Sequence, residues 1–315
     1  MTLTVVLCAH NEERHLREQL DAILGQSRPV DELVLLDDGS TDGTAEILER
    51  RGVRYSEPRG SALRDHDPAH SDPRGSEYLT PRRGVLVCNP APSGPNRAYN
   101  QAVRYATSDW VYLAGAHDVL QPGALEAFAR QASAHPEAVL IAGDLVDVAC
   151  GWLPCAGFLT PADLCRRWQP ADMHWINGNA TFIKRTAWQG ELPELAWLGD
   201  WWQYHTLALR RGLIYLPFPI TQWRPLANSH SHGYQDAGRM ASVARELARL
   251  LDDPENADIR EAFLGTRLLD IPHAGSGVVR GMLAHPRGSE YLTPGLGLED
   301  VDPVPDACFP DGNWR

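Results

Sequence analysis

Three polar clusters stand where chemistry would be done, each directly after a short apolar run: Ala9-His10-Asn11-Glu12, Asp37-Asp38 and His117-Asp118. Adjacent carboxylates such as Asp37 and Asp38 accept hydrogen bonds and would suit a ribose or the imide N–H of uracil. They fit a plainer role equally, opening the turn before a helix with Ser40 or Thr41 as its N-cap. Either way the loop is expected to face solvent. Neither GxGxxG nor GxxxxGK[ST] follows any apolar run, so both of those phosphate cradles are absent. The cysteines, Cys8, Cys88, Cys150, Cys155, Cys165 and Cys308, form no CxxC pair and no metal-finger spacing.

Positioning such clusters requires strands that end together. Leu3–Leu7 is a short apolar run rich in β-branched residues, followed by Leu16, Leu20, Ile23 and Leu24 at helical spacing. Glu32–Leu36 alternates too little for a half-exposed strand, and a second helix is expected from about Ala45. Strand, helix and strand in so short a stretch make a right-handed βαβ unit. The alternation resumes with a strand at Val85–Cys88, a helix at Arg97–Ala106 and a strand at Trp110–Ala114. Pro122 is then expected to open a helix over Gly123–Gln131, and Val139–Ala142 supplies a further strand. The pattern predicts an α/β protein, its open and mostly parallel sheet covered by helices on both faces. In such sheets ligands bind beyond the carboxyl ends of the strands, where the polar clusters lie.

Composition bounds the rest. The chain has 315 residues, 43% of them hydrophobic, and a formal net charge of -12 from 29 basic and 41 acidic residues. That balance argues against polymeric nucleic acid as a partner. No apolar run approaches the roughly 20 residues that span a bilayer, and the start MTLTVVLCAHNEE reads as a buried strand, with no export signal. A cytoplasmic protein with reduced thiols is expected. Residues 56–84 form a long loop insertion rich in Pro, Gly, Arg and Asp. The segment PRGSEYLTP at Pro73–Pro81 recurs at Pro286–Pro294, a duplication at the level of a loop. Domains are expected at 1–228, catalytic, and at 229–315, a helical extension built on Met240, Val243, Leu247 and Leu250 that ends in an acidic, proline-containing tail.

The segments VVLCAHNEERHLREQLDAILGQS and ELVLLDDGSTDGTAEIL, then GPNRAYNQAVRYATSDWVYLAGAHDVLQPGAL, INGNATFIKRTAW and LGDWWQYHTLALRRGLIYLPFPITQWR, resemble the family 2 glycosyltransferases. These are inverting nucleotide-sugar enzymes of the GT-A fold. The resemblance runs over roughly residues 2 to 228, the insertion excepted. It implies that Ala9, Asn11 and Glu12 line the donor nucleotide, that Asp37 and Asp38 hold base and ribose, and that Asn100, at the start of the helix after the third strand, also binds the donor nucleotide. It implies a general base at Asp200, ahead of the helix WWQYHTLALRR. The acid expected just before it is replaced by Gly199.

The family's metal-binding Asp-X-Asp aligns with Gly115, Ala116, His117 and Asp118, so the first acid is gone and the second is histidine. Imidazole suits Mn²⁺ better than Mg²⁺, which prefers oxygen. The resemblance therefore implies either a divalent cation, Mn²⁺ before Mg²⁺, at His117 and Asp118 with His230 and His232 as further ligands, or a site that has lost its ion. Trp197, Trp201 and Trp202 flank Asp200, and of the adjacent pair one is expected in the core and one at an acceptor opening. The implied activity is an inverting transfer from a nucleotide-diphosphate sugar, UDP above others, to a hydroxyl on a glycan, small molecule or peptide. The altered motifs also admit a non-catalytic module that binds a nucleotide-sugar or a protein. A nucleotidyltransferase is disfavoured, because no basic, glycine-rich loop follows the first strand.

Overall fold

The computed structural model of the chain describes residues 1–51, 81–169, 175–224, 226 and 237–269. His230, His232, Cys308, the acidic tail and both copies of PRGSEYLTP, Pro81 apart, lie outside the described residues. The chain divides into two compact units. One comprises Met1–Leu164, Trp175–Pro193 and Gly199–Ala227, and the other Cys165–His174, Glu194–Leu198 and Asn228–Arg315.

The first unit opens with β1 (Leu3–Ala9), α1 (Leu16–Leu24), β2 (Glu32–Asp37) and α2 (Thr44–Arg51). Every residue of β2 is buried, which is what a strand without alternation requires once both sheet faces are covered. On α1, Leu16, Leu20 and Ile23 are buried with Gln19 between them. Ser40 and Thr41 do not cap α2. The helix starts later, and Asp42 accepts the Thr44 amide at 3.0 Å.

The alternation continues through β3 (Arg83–Cys88), α3 (Pro95–Val103), β4 (Trp110–Gly115), β5 (Val119–Leu120), α4 (Ala124–Ala134) and β6 (Leu140–Leu145). Pro95 occupies the first turn of α3, so this helix begins before Arg97. Pro122 by contrast stays outside α4, whose N-cap is Gly123 at φ 80, a left-handed conformation that suits glycine. Then come β7 (Gly157–Leu159), α5 (Pro161–Trp168), β8 (Thr181–Lys184), α6 (Gly199–Arg211) and β9 (Leu213–Gln222).

The sheet has nine strands in the order β3-β2-β1-β4-β8-β6-β9-β5, with β7 beside β9. It is mostly parallel: β5, β7 and β8 run against the other strands. Register aligns the strand ends, because Ala9 pairs with Asp37, Asp37 with Cys88, and Cys8 with Gly115. The polar clusters are thereby brought to one edge. At the opposite edge the buried Glu32 carboxylate binds Thr4, the Thr107 and Ser108 amides and Arg83.

In the second unit, α7 (Ala237–Asp252) buries Met240, Val243, Leu247 and Leu250 along one stripe, and α8 (Ala257–Gly265) buries Ile259 and Phe263. Between them Asp253 accepts the Glu255 amide and closes the turn. No described helix is long and apolar enough to cross a membrane.

Candidate active site

The loops after β1 and β2 are laced together. Asn11, at φ 56, accepts the Thr41 amide at 2.8 Å, and its own amide binds the Ser40 hydroxyl at 3.0 Å. The Glu12 amide reaches Thr44 Oγ1 at 2.7 Å, and the His10 ring donates to the Asp38 carbonyl at 2.8 Å. A carbonyl only accepts, so Nδ1 carries that hydrogen.

Asp37 and Asp38 are not solvent-facing: each is only 4% exposed. Asp38 is saturated by protein donors, namely Asn89 Nδ2 (2.8 Å), the Ser93 amide and hydroxyl (both 2.9 Å) and the Gly94 amide (2.9 Å). Burial would raise its pKa, but these bonds outweigh that and hold it below the usual carboxylate range. Its visible work is to fix the loop that launches α3. Asp37 accepts the Ser40 amide at 3.3 Å.

After β4, His117 Nδ1 lies 2.9 Å from Glu12 Oε1. The carboxylate accepts, which leaves Nε2 with its lone pair, and a hydrogen-bonded partner of this kind commonly orients an imidazole toward a cation. Burial lowers the His117 pKa, yet the bond to Glu12 and the charges of Asp118 and Glu12 prevail and hold it above its ordinary value. Asp118 fits a cation less well. Its carboxylate folds back over Gly115, where any side chain would collide with it, and accepts from Asn179 Nδ2 at 2.9 Å and the Arg224 amide at 3.0 Å. Burial raises its pKa against those bonds. Among the described residues no three His, Cys, Asp or Glu side chains group as a metal cage.

Asp200 lies in the first turn of α6, and its carboxylate accepts the Trp201 amide at 2.7 Å. Burial nonetheless pushes it up to about 6. A Cβ at Gly178 would strike Asp200 Oδ2, so glycine there makes room for the acid. Gly178 and Asn179 belong to one short turn, Gly178–Ala180, which therefore touches both Asp200 and Asp118. Trp201 and Trp202 are both buried, at 1% and 8% exposure, and neither lines an opening. The reason is that α6 is covered on all sides from Trp201 to Leu209. His205, on this covered helix, finds internal partners: its Nε2 accepts the Ile176 amide and Nδ1 donates to the Trp201 carbonyl.

Asn100 sits inside α3, past its start, with its amide turned to the Glu191 backbone. Glu191 itself escaped the sequence reading. It is buried close to Asp200, whose charge, after burial, drives the Glu191 pKa well up. A single acid in QGELPEL carries no spacing signal. The only cue was the pair of amides one turn apart on α3, Asn96 and Asn100, which hold this segment.

The model of the glycosyl transferase family 2 matches residues 4–58 and 76–153. A protein of Bacillus subtilis (strain 168) named as a glycosyltransferase, EpsE, is 42% identical over 55 residues, which is 18% of this chain and only 20% of that protein's length. Among solved structures, S. aureus TarS 1-349 in complex with UDP-GlcNAc superposes with a TM-score of 0.62 at 16% identity, covering 93% of this chain and 78% of that one. Mannosyltransferase PcManGT from Pyrobaculum calidifontis, in complex with GDP-Man and Mn²⁺, gives 0.55 at 18% identity, covering 92% and 78%. At such identities these two likenesses bear on fold alone. The chain has the GT-A fold, and over residues 4–58 and 76–153 it is similar to glycosyl transferase family 2.

Proposed function

We propose that this protein is an inverting glycosyltransferase that moves a sugar from a nucleotide-diphosphate sugar, UDP-linked in preference to GDP-linked, to an acceptor hydroxyl. The carrying observation is Asp200, a part-buried carboxylate with a pKa of about 6 at the head of α6. Near neutral pH it is ionised but more basic than a surface aspartate, as a general base should be. Asp200 takes the proton of the acceptor hydroxyl while that oxygen bonds to the anomeric carbon. The bond from that carbon to the diphosphate oxygen breaks, its electron pair leaves with the nucleoside diphosphate, and one displacement inverts the centre.

Ala9, Asn11, Glu12 and Asp37 form the nucleotide floor in this reading, while Asp38 and Asn100 act through the loops that they hold. A divalent cation, Mn²⁺ before Mg²⁺, would take nitrogen from His117 and offset charge on the leaving diphosphate. The thiols of Cys8, Cys88, Cys150, Cys155 and Cys165 are free, in keeping with a cytoplasmic setting.

The test is nucleoside-diphosphate release from a panel of UDP- and GDP-sugars, with Mn²⁺, Mg²⁺ or chelator. UDP release that Mn²⁺ enhances, and that loses most of this enhancement in His117→Ala, is expected. Tight binding without release from any donor would make the protein a binding module.

A further inference from the structure

Residues 189–192 belong to no helix or strand, so their backbone groups must find partners elsewhere. Side-chain amides supply them. Gln203 Oε1 accepts the Gln189 and Gly190 amides at 2.9 and 2.8 Å. Asn100 accepts the Glu191 amide at 2.8 Å and donates to its carbonyl at 2.7 Å, and Asn96 donates to the Leu192 carbonyl at 3.0 Å. Three amides from α3 and α6 thus fix four consecutive residues. Gly199 is part of the same device, because a side chain there would strike the Asn96 amide and the Leu192 carbonyl.

This clamp fixes the backbone that carries Glu191. That residue is 5% exposed, and no hydrogen bond to its carboxyl is present among the described residues. The titratable groups whose charges couple to it are Asp200 and Tyr204 of α6, Tyr99 of α3 and Cys8 of β1. Tyr204 has a fully buried hydroxyl without a partner among the described residues.

We propose that Glu191 is the second acid of this site and that it acts on the transfer as a positioning residue, through Asp200. The proposal rests on the reading of Asp200 as the base. A buried carboxyl coupled to a part-buried one does not ionise readily alongside it, so their protons leave in two separated steps. Asp200 gives up its proton first, near 6, and burial with the Asp200 charge holds the proton on Glu191 well beyond that. Around neutral pH the pair carries one negative charge, on the member at the head of α6. A second charge, which would oppose the departing diphosphate, is withheld.

The experiment is a carboxyl-¹³C NMR titration of the full chain labelled at glutamate, with the Glu191 signal identified by its loss in Glu191→Gln. Its midpoint is expected well above the ordinary glutamate range in the wild type, and at least about one unit lower in Asp200→Asn, because coupling between two sites is reciprocal. The kcat profile of the wild type should carry a second inflection on the alkaline side that Glu191→Gln lacks. An unchanged Glu191 midpoint in Asp200→Asn, or identical pH profiles for the wild type and Glu191→Gln, overturns the proposal. Wild-type turnover in Asp200→Asn strikes the base reading instead, whatever the Glu191 midpoint does.

Discussion

At the scale of the residue, the two aspartates best placed for function are held in opposite ways. Asp200 is short of donors, so burial raises its pKa to about 6. Asp200→Asn should lower kcat by about 10²–10⁴ and leave UDP affinity within a few fold, measured by initial rates and calorimetry. In the wild type, kcat/KM should rise with pH and level off above about 6. Stability runs the other way. A carboxyl whose folded pKa is raised contributes stability below its unfolded pKa and loses it as pH climbs through the folded value. Asp200→Asn should therefore stabilise the protein by about 2 kcal/mol at pH 7.5 and not at all below pH of about 4, as thermal unfolding at the two pH values would reveal. Asp38 is the reverse case, its pKa held down by donors from Asn89, Ser93 and Gly94. Truncation to Ala strands those donors, and Asp38→Ala should cost about 2–4 kcal/mol in denaturant melts and weaken UDP binding as the 89–94 loop loosens. Its stabilisation is present above the unfolded pKa and fades as pH falls through the lower folded one.

The elements matter through their ends. The short turn Gly178–Ala180, just before β8, meets α6 at Asp200 and the end of β4 at Asp118. A methyl group at position 178 cannot coexist with the present Asp200 carboxylate, which must then rotate off the Trp201 amide. Gly178→Ala should consequently lower kcat by at least about 10²-fold with the donor KM within about threefold. A parallel loss of donor affinity would instead mean that the turn shapes the nucleotide site. The same logic explains α6. A helix covered on every side needs internal partners for Gln203, His205 and Thr206, and in finding them Gln203 anchors the 189–192 segment.

Across the molecule, the parallel strands divide labour between their two ends: the carboxyl ends carry the candidate site, and the amino ends carry a buried polar lock. Glu32 binds Thr4, Thr107, Ser108 and Arg83 there, far along β2 from Asp37. Glu32→Ala should lower stability by about 2–4 kcal/mol, because the removed carboxylate leaves a part-buried cation and two amides without their acceptor. In the surviving folded fraction UDP affinity should be unchanged. Denaturant melts alongside calorimetry would separate these effects, and a large loss of UDP affinity at full folding would refute the division. The strands up to β6, the two-residue β5 excepted, and the helices between them were legible in the sequence, because apolar periodicity is local and the strand-end loops fall at fixed places within it. So was the candidacy of Asp37, Asp38, His117, Asp118 and Asp200, through resemblance over whole segments. Polar satisfaction was not legible, since it depends on groups distant in the chain: Asp38 is met by Ser93 and Gly94, Asp118 by Asn179, and the Glu191 backbone by Asn100. The sequence by itself determined the fold class, a mostly parallel α/β sheet, and the edge at which chemistry gathers. Only the tertiary structure decided which carboxylates are spent on holding loops and which are left to titrate, because desolvation and hydrogen bonding are properties of the packed surroundings.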